Sequence, residues 1–471
     1  MTRILPILPL LFAAVLVPAP TSAETFSADD LETARALRQQ GLESALGYAI
    51  TAELTTRIGN RLAGSPNDAL AVAWAQDKLE ELGFDRVWTE PVTFPAWTRE
   101  HERVAIVSPV EQELVALAIG FSPATPEGGV TGEVVAYQDL AALEAADPAQ
   151  VEGRIVYIEK RMARARDGSG YGPAVAARGR GSMVAAEKGA LAIVIRSVGT
   201  STNRFAHTGA MRFDAASRRI PAVAVSNPDA DQLERLLDLG EPVRLHVDIG
   251  AEIQDTYTSQ NVIGEIRGGE RADEIVALGA HLDSWDVGTG ALDDGAGVGI
   301  VTAAATLISR LDRRPDRSIR VILFAAEETG LWGGRAWARA HAEEVRRYQV
   351  AAESDFGAGR IYEISARVSD EAWPVIGDIQ AELAPLGIEL GVRSASGGPD
   401  FSPMLRHGLA AVDLEQDGTT YFDYHHTEND TLDKIDPEAM AQNVAAYAVL
   451  AWLAAQSPVD FGSGPALLAD G

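Results

Sequence analysis

The chain has 471 residues, 46% of them hydrophobic and none of them Cys, and a formal net charge of −28 at pH 7. That composition supplies core for two or three domains and excludes a disulfide framework, a thiolate nucleophile and a thiolate metal site. The acidic surplus argues against nucleic acid and anionic membranes as partners, since both need a basic patch.

Residues 1–23 read as a cleavable secretory signal. Arg3 precedes an apolar run at 4–17, and Thr21-Ser22-Ala23 offers a small-residue cleavage site. Export without Cys fits a periplasmic or secreted protein. No later segment has 18 or more consecutive apolar residues, so no membrane association is expected once the signal is removed. Ser27, ahead of Leu31, Ala34 and Leu37, opens an amphipathic helix, and a second helical segment covers 45–57. The turn-rich stretch 59–68 follows, where Ser65 or Asn67 is placed to cap a helix over 69–82 that stops at Gly83. A strand is expected at 87–94.

From residue 122 the texture changes. Short apolar strands at 155–158, 192–195 and 223–225 alternate with Gly-rich loops and helical patches at 185–189 and 229–239. This predicts a smaller β-rich insert over 122–250 that splits a larger domain into 24–121 and 251–471. The basic run 161–180 reads as a mobile solvated loop. Beyond 250, strands at 275–280, 318–325, 348–353 and 409–414 alternate with helices, the last a buried one at 439–455. Such alternation predicts an α/β fold with a mixed, mostly parallel sheet sandwiched by helices.

The chemistry gathers at the ends of those strands. His281 and Asp283 end the first, and Asp293 and Asp294 sit just before an Ala/Val/Ile-rich helix. Glu327 and Glu328 follow the second strand, and Asp355 the third. His425 and His426 follow the last. This is the edge of an α/β sheet at which ligands bind. Imidazole and carboxylate are ligands that suit zinc. Asp283, two residues from His281, is placed to receive its second ring N–H. Any one of these residues alone reads as a helix cap or a loop histidine; their density points to a site. His281, Asp293, Glu328, Asp355 and His426 make two imidazoles and three carboxylates, too much negative charge for one dry site without cations. Two divalent ions roughly 3.5–4 Å apart, bridged by a carboxylate such as Asp293, would balance it. Glu327, beside a ligand but aimed elsewhere, is left as general base.

The order H-L-D, A-L-D-D-G, A-E-E-T-G, E-S-D and H-T-E-N-D-T resembles the co-catalytic zinc exopeptidases typified by aminopeptidase Y. The fuller run from His281 to Gly295, with Tyr421-Phe422 ahead of His425-His426, resembles most their carboxypeptidase Q members. The resemblance implies the zinc exopeptidase fold with a protease-associated (PA) insert. It also implies two zinc ions per chain, one on His281 and Asp355, the other on Glu328 and His426, with Asp293 bridging. Asp283 would orient His281, Glu327 would be the base, and Tyr421 or Asp400 would touch substrate. His426 is taken over His425 because it directly precedes Thr427. The activity implied is hydrolysis of dipeptides or short peptides by a homodimer. An aminopeptidase, or an amidase or deacylase acting on N-acyl amino acids, is the alternative. A binding protein on the same scaffold is disfavoured by the presence of every ligand and the base.

Overall fold

The apolar runs of the sequence become the strands of one sheet. A computed structural model describes residues 25–212 and 217–468, so the signal read at 1–23 lies outside the described residues. The strands are β1 (Arg86–Ser108), β2 (Gln112–Leu114), β3 (Ala116–Ala118), β4 (Val130–Tyr137), β5 (Ile155–Ile158), β6 (Ala192–Arg196) and β7 (Ala222–Val225). They continue with β8 (Arg244–Ile266), β9 (Arg271–His281), β10 (Arg317–Phe324), β11 (Tyr348–Glu353), β12 (Ile361–Arg367), β13 (Glu389–Leu390) and β14 (Ala411–Gln416). Among the described residues they lie in the order β13-β12-β14-β11-β9-β10-β8-β4-β5-β6-β7-β3, with β1 paired to β8 and β2 to β1. The fold is mixed α/β. The centre β14-β11-β9-β10 is parallel, β12 and β8 run antiparallel at its flanks, and β4 to β7 form a second parallel group.

Strand β10 is buried at all eight positions. Alternation divides the side chains between two faces. Val276, Leu278, Val321 and Leu323 pack with the helices Ala296–Ser309 and Pro437–Gln456. Ile275, Ala277, Ile322 and Phe324 pack with Trp337 on the helix Trp332–His341. A sheet covered on both faces this way needs near-continuous apolar strands, which is why these strands are legible in the sequence. Ser27 caps Ala28–Glu43 through a full capping box, and Ser65 caps Pro66–Glu81.

Three elements differ from expectation. The strand expected at 87–94 extends to Ser108, pairing with β8 in a ribbon that joins the two halves of the sheet. Pro91 and Pro95 make the sequence look like a strand end; in the structure the register shifts between Phe94 and Ala96, so Pro95 falls in a bulge. Strand β8 passes unbroken through residue 250, where the sequence suggested a boundary. The basic run at 161–180 is not a solvated loop throughout. Tyr171–Glu187 is a helix despite Gly172, Gly179 and Gly181, which disfavour helices. Its Ala174, Ala177, Ala185 and Ala186 are buried, and a Cβ on Gly181 would lie 2.7 Å from Ile193, so the helix needs small residues to reach the sheet. Arg178 points inward and is buried.

Candidate active site

Strand β9 delivers His281 and β10 leads into Glu327–Glu328. Strand β11 leads into Asp355, and the loop after β14 carries His425 and His426. Because β9, β10, β11 and β14 are parallel, these groups emerge at one edge and meet. His281 Nε2 lies 3.0 Å from Asp293 Oδ1 and 3.4 Å from Asp355 Oδ1. His426 Nε2 lies 3.3 Å from Asp293 Oδ2 and 2.9 Å from Glu328 Oε2. Asp293 therefore turns one oxygen to each of two groups. His425 stacks on His426 with centroids 3.5 Å apart, but its Nε2 stays 3.7 Å from Asp293 Oδ2.

The local chain explains the aim of each side chain. Ala326 adopts a left-handed φ of 55°, a sharp turn after which Glu327 and Glu328 both line the cavity described below. The Asp283 carboxylate accepts the N–H of Glu327 at 3.0 Å and of Glu328 at 3.3 Å. Asp283 was expected to give its carboxylate to His281. Its Oδ1 does lie 3.5 Å from Nδ1, while its backbone carbonyl accepts from Nδ1 at 3.0 Å. The Asp283 carboxylate is thus shared between His281 and the Glu327 turn. Asp294 does what a helix cap does, accepting from Gly297 N at 3.0 Å, and also from His281 N at 3.1 Å. Asp293 is held by Asp430, whose carboxylate accepts the N–H groups of Ala291, Leu292 and Asp293.

The electrostatics are those of an acidic cluster out of water. Burial works against a charged imidazolium, yet Asp355, Asp283 and Asp293 raise His281 well above its ordinary value. Glu328 and Asp293 likewise outweigh burial and lift His426 to about 9. Burial would raise Asp293, but His281 and His426 hold it well below the usual carboxylate range. Glu327 moves up strongly, through burial and then the charges of Asp355, Glu328 and Asp400. Glu328 rises to about 7 through burial and Asp293. Asp293 Oδ2 and Glu328 Oε1 are buried and make no hydrogen bond. Orphaned oxygens beside imidazole nitrogens, with ligand atoms of His281, Asp293 and Asp355 within 4.8 Å of one another and those of Asp293, His425 and His426 likewise, suit divalent cations.

A cavity of about 690 Å³ opens onto Asp293, Glu327, Glu328, Asp355 and His426. Tyr421 lines it beside Phe356, Phe422 and Trp332, while Tyr171, Arg178, Met211 and Arg212 close it from within residues 122–250. Asp400, expected near substrate, does not reach the cavity. It is fully buried, takes the N–H of Gly334 on Oδ1 at 3.0 Å, and gives its own N–H to Glu353 at 2.9 Å. The loop's contribution to the cavity wall is Pro399.

Sequence reasoning passed over three groups. Asp430 sits in the H-T-E-N-D-T run and was readable there. Arg61 sits in the 59–68 loop. It is fully buried and donates to the carbonyls of Leu282, Gly59, Thr289 and Gly290, fixing the loop between His281 and Asp293. Arg178, behind His426, had no signal.

Residues 261–451 match Peptidase family M28. The chain is 32% identical over 408 residues to carboxypeptidase Q of Bos taurus, covering 87% of this chain and 85% of the relative. The crystal structure of a peptidase M28 precursor from Shewanella amazonensis SB2B superposes with a TM-score of 0.91 at 50% identity, covering 93% of this chain and 99% of that one. BSAP, a zinc aminopeptidase from Bacillus subtilis, shares the fold at 20% identity and a TM-score of 0.61, with 86% and 93% covered.

Proposed function

The chain belongs to peptidase family M28, and on that premise we propose that it is an exported dizinc exopeptidase hydrolysing dipeptides or short peptides, as its likeness to carboxypeptidase Q implies. The observation that carries this reading is the division of Asp293 between two groups of ligands. His281 and Asp355 would hold one zinc, Glu328 and His426 the other, and Asp293 one oxygen to each. When bound, such a pair lowers the pKa of an attacking water and polarises the scissile carbonyl.

This chain's own residues do the rest. Glu327 faces the cavity without taking part in either group, and its raised pKa suits a base that takes the water proton and passes it to the leaving amine. Asp283 grips the backbone of Glu327 and Glu328, which keeps base and ligand at a fixed offset. With Asp293, Glu328 and Asp355 assigned to zinc and Glu327 to proton transfer, the other charged side chains lining the cavity among the described residues are Arg178, Arg212 and Arg335, besides the imidazoles. Arginine suits a carboxylate. That supports substrates with a free carboxyl end over those anchored by an ammonium. Export rests on the signal read at 1–23.

A cleavage profile tests the reading. Dipeptides with free and amidated carboxyl ends, longer peptides with free and blocked amino ends, and N-acyl amino acids would be compared with and without chelator. Free dipeptides are expected to be cut fastest, and only without chelator. Preference for long peptides with a free amino end would favour an aminopeptidase, and preference for N-acyl amino acids a deacylase.

A further inference from the structure

His426 is a strained residue, with a left-handed φ of 62° that non-glycine residues adopt only when their surroundings impose it. What surrounds it comes largely from the inserted region. Thr208 donates its N–H to the His426 carbonyl at 3.0 Å. With Nε2 turned to Glu328 and Asp293, Nδ1 faces the Thr208 carbonyl at 3.4 Å and Arg178 Nη1 at 3.3 Å, so the inserted region holds both the backbone and the ring. His207 Nδ1 donates to the His425 carbonyl at 2.7 Å. The same loop is gripped further back at Asp423. Arg164 reaches Asp423 through two nitrogens at 2.6 and 2.9 Å, Thr200 Oγ1 donates to it at 2.9 Å, and Thr200 N donates to the Phe422 carbonyl at 2.9 Å. No corresponding contact from the inserted region to His281 or Asp355 is found among the described residues.

We propose that the inserted region is a latch on the second metal position. Arg164 and Thr200 on Asp423, with Thr208 on His426, set how tightly the Glu328–His426 side holds its zinc, while the His281–Asp355 side is independent of them. This rests on the dizinc reading. Arg164 and Asp423 are positioning residues that act through His426. Their pair is partly exposed, at 41% and 18%, so it contributes little to global stability. Its effect is on where the loop rests, and loss of such outer support typically weakens metal binding 10- to 100-fold.

The test is zinc binding by the full chain, titrated against chelators of graded affinity, with the thermal midpoint of the zinc-free chain as a check on folding. Arg164→Asp and Asp423→Arg are each expected to weaken one of two sites by roughly 10- to 100-fold. The double swap Arg164→Asp/Asp423→Arg re-forms the ion pair but leaves Thr200 Oγ1 without its acceptor, so it is expected to bring the site back to about the level of Thr200→Val. Thr200→Val, which keeps the shape and removes one bond, is expected to shift the same site by less, and it serves if a charge variant misfolds. Single variants that bind both ions as the parent does, weaken both sites equally, or regain nothing in the double swap overturn the latch. A parent chain that binds fewer than two ions overturns the dizinc reading instead, before any variant is made.

Discussion

Replacing Arg61 by Met should loosen the loop on which His281 and Asp293 depend, and the size of the effect follows from the bonds lost. The guanidinium donates to Leu282 O at 2.7 Å, Thr289 O at 2.8 Å, and Gly59 O and Gly290 O at 3.0 Å each. Met fills the same channel but donates nothing. The bonds to Leu282 and Gly290 are buried, and an orphaned buried carbonyl costs about 1–3 kcal/mol. Those to Gly59 and Thr289 are only part-buried, so water can replace the donor there. Two orphans give about 2–6 kcal/mol. Against this, the variant no longer buries a cation whose pKa is lowered by its own desolvation. A net local loss of about 2–4 kcal/mol remains, or roughly 30- to 1000-fold in hydrogen-exchange protection. The amides to follow are those of Thr289, Ala291 and Leu292, which are bonded to Asp430. Unchanged protection there would refute the argument that this cation organises the loop.

Glu327→Gln should lower kcat/KM by about 10²- to 10⁴-fold, the usual worth of a general base, with zinc content unchanged; parental turnover in that variant would remove Glu327 from the mechanism. Asp68 predicts a pH effect on stability away from the ligands. Burial pushes its carboxyl up to about 6, against the lowering by the hydrogen bonds from Ser259 and Gly64. A folded pKa above the unfolded one means that the group's contribution is present below about 3.8 and lost as pH rises to about 6, by about 3 kcal/mol in full. Asp68→Asn should therefore flatten the fall in thermal midpoint between pH 4 and 6. Parallel profiles for parent and variant would show that the site tolerates the charge.

The features legible in the sequence were those tied to local pattern. The strands β9, β10, β11 and β14 are buried on both faces, so they read as apolar runs, and the carboxylates and imidazoles at their ends could be collected in order. Parallel pairing then brings them to one edge without further information. What could not be read depends on contacts distant in the chain. The second half of β1 is a strand because β8 lies beside it; its own residues mix charged and aromatic types with proline. Strand β12 was missed because it lies near the sheet edge and is only partly buried, mixing Tyr362, Glu363 and Ser365 with its apolar residues. The roles of Asp283 and Asp400 turned on which way a side chain leaves a turn, which spacing does not determine. Arg178 looked like one more arginine in a basic run until its helix packed against the sheet.

The most direct test of the central claim is the structure of the zinc-loaded chain, with anomalous scattering recorded at the zinc edge. Two peaks are predicted, one within bonding distance of His281 and Asp355 and the other of Glu328 and His426, each touching a different oxygen of Asp293. A single peak, or a second one bound through His425 and away from Glu328, would contradict it.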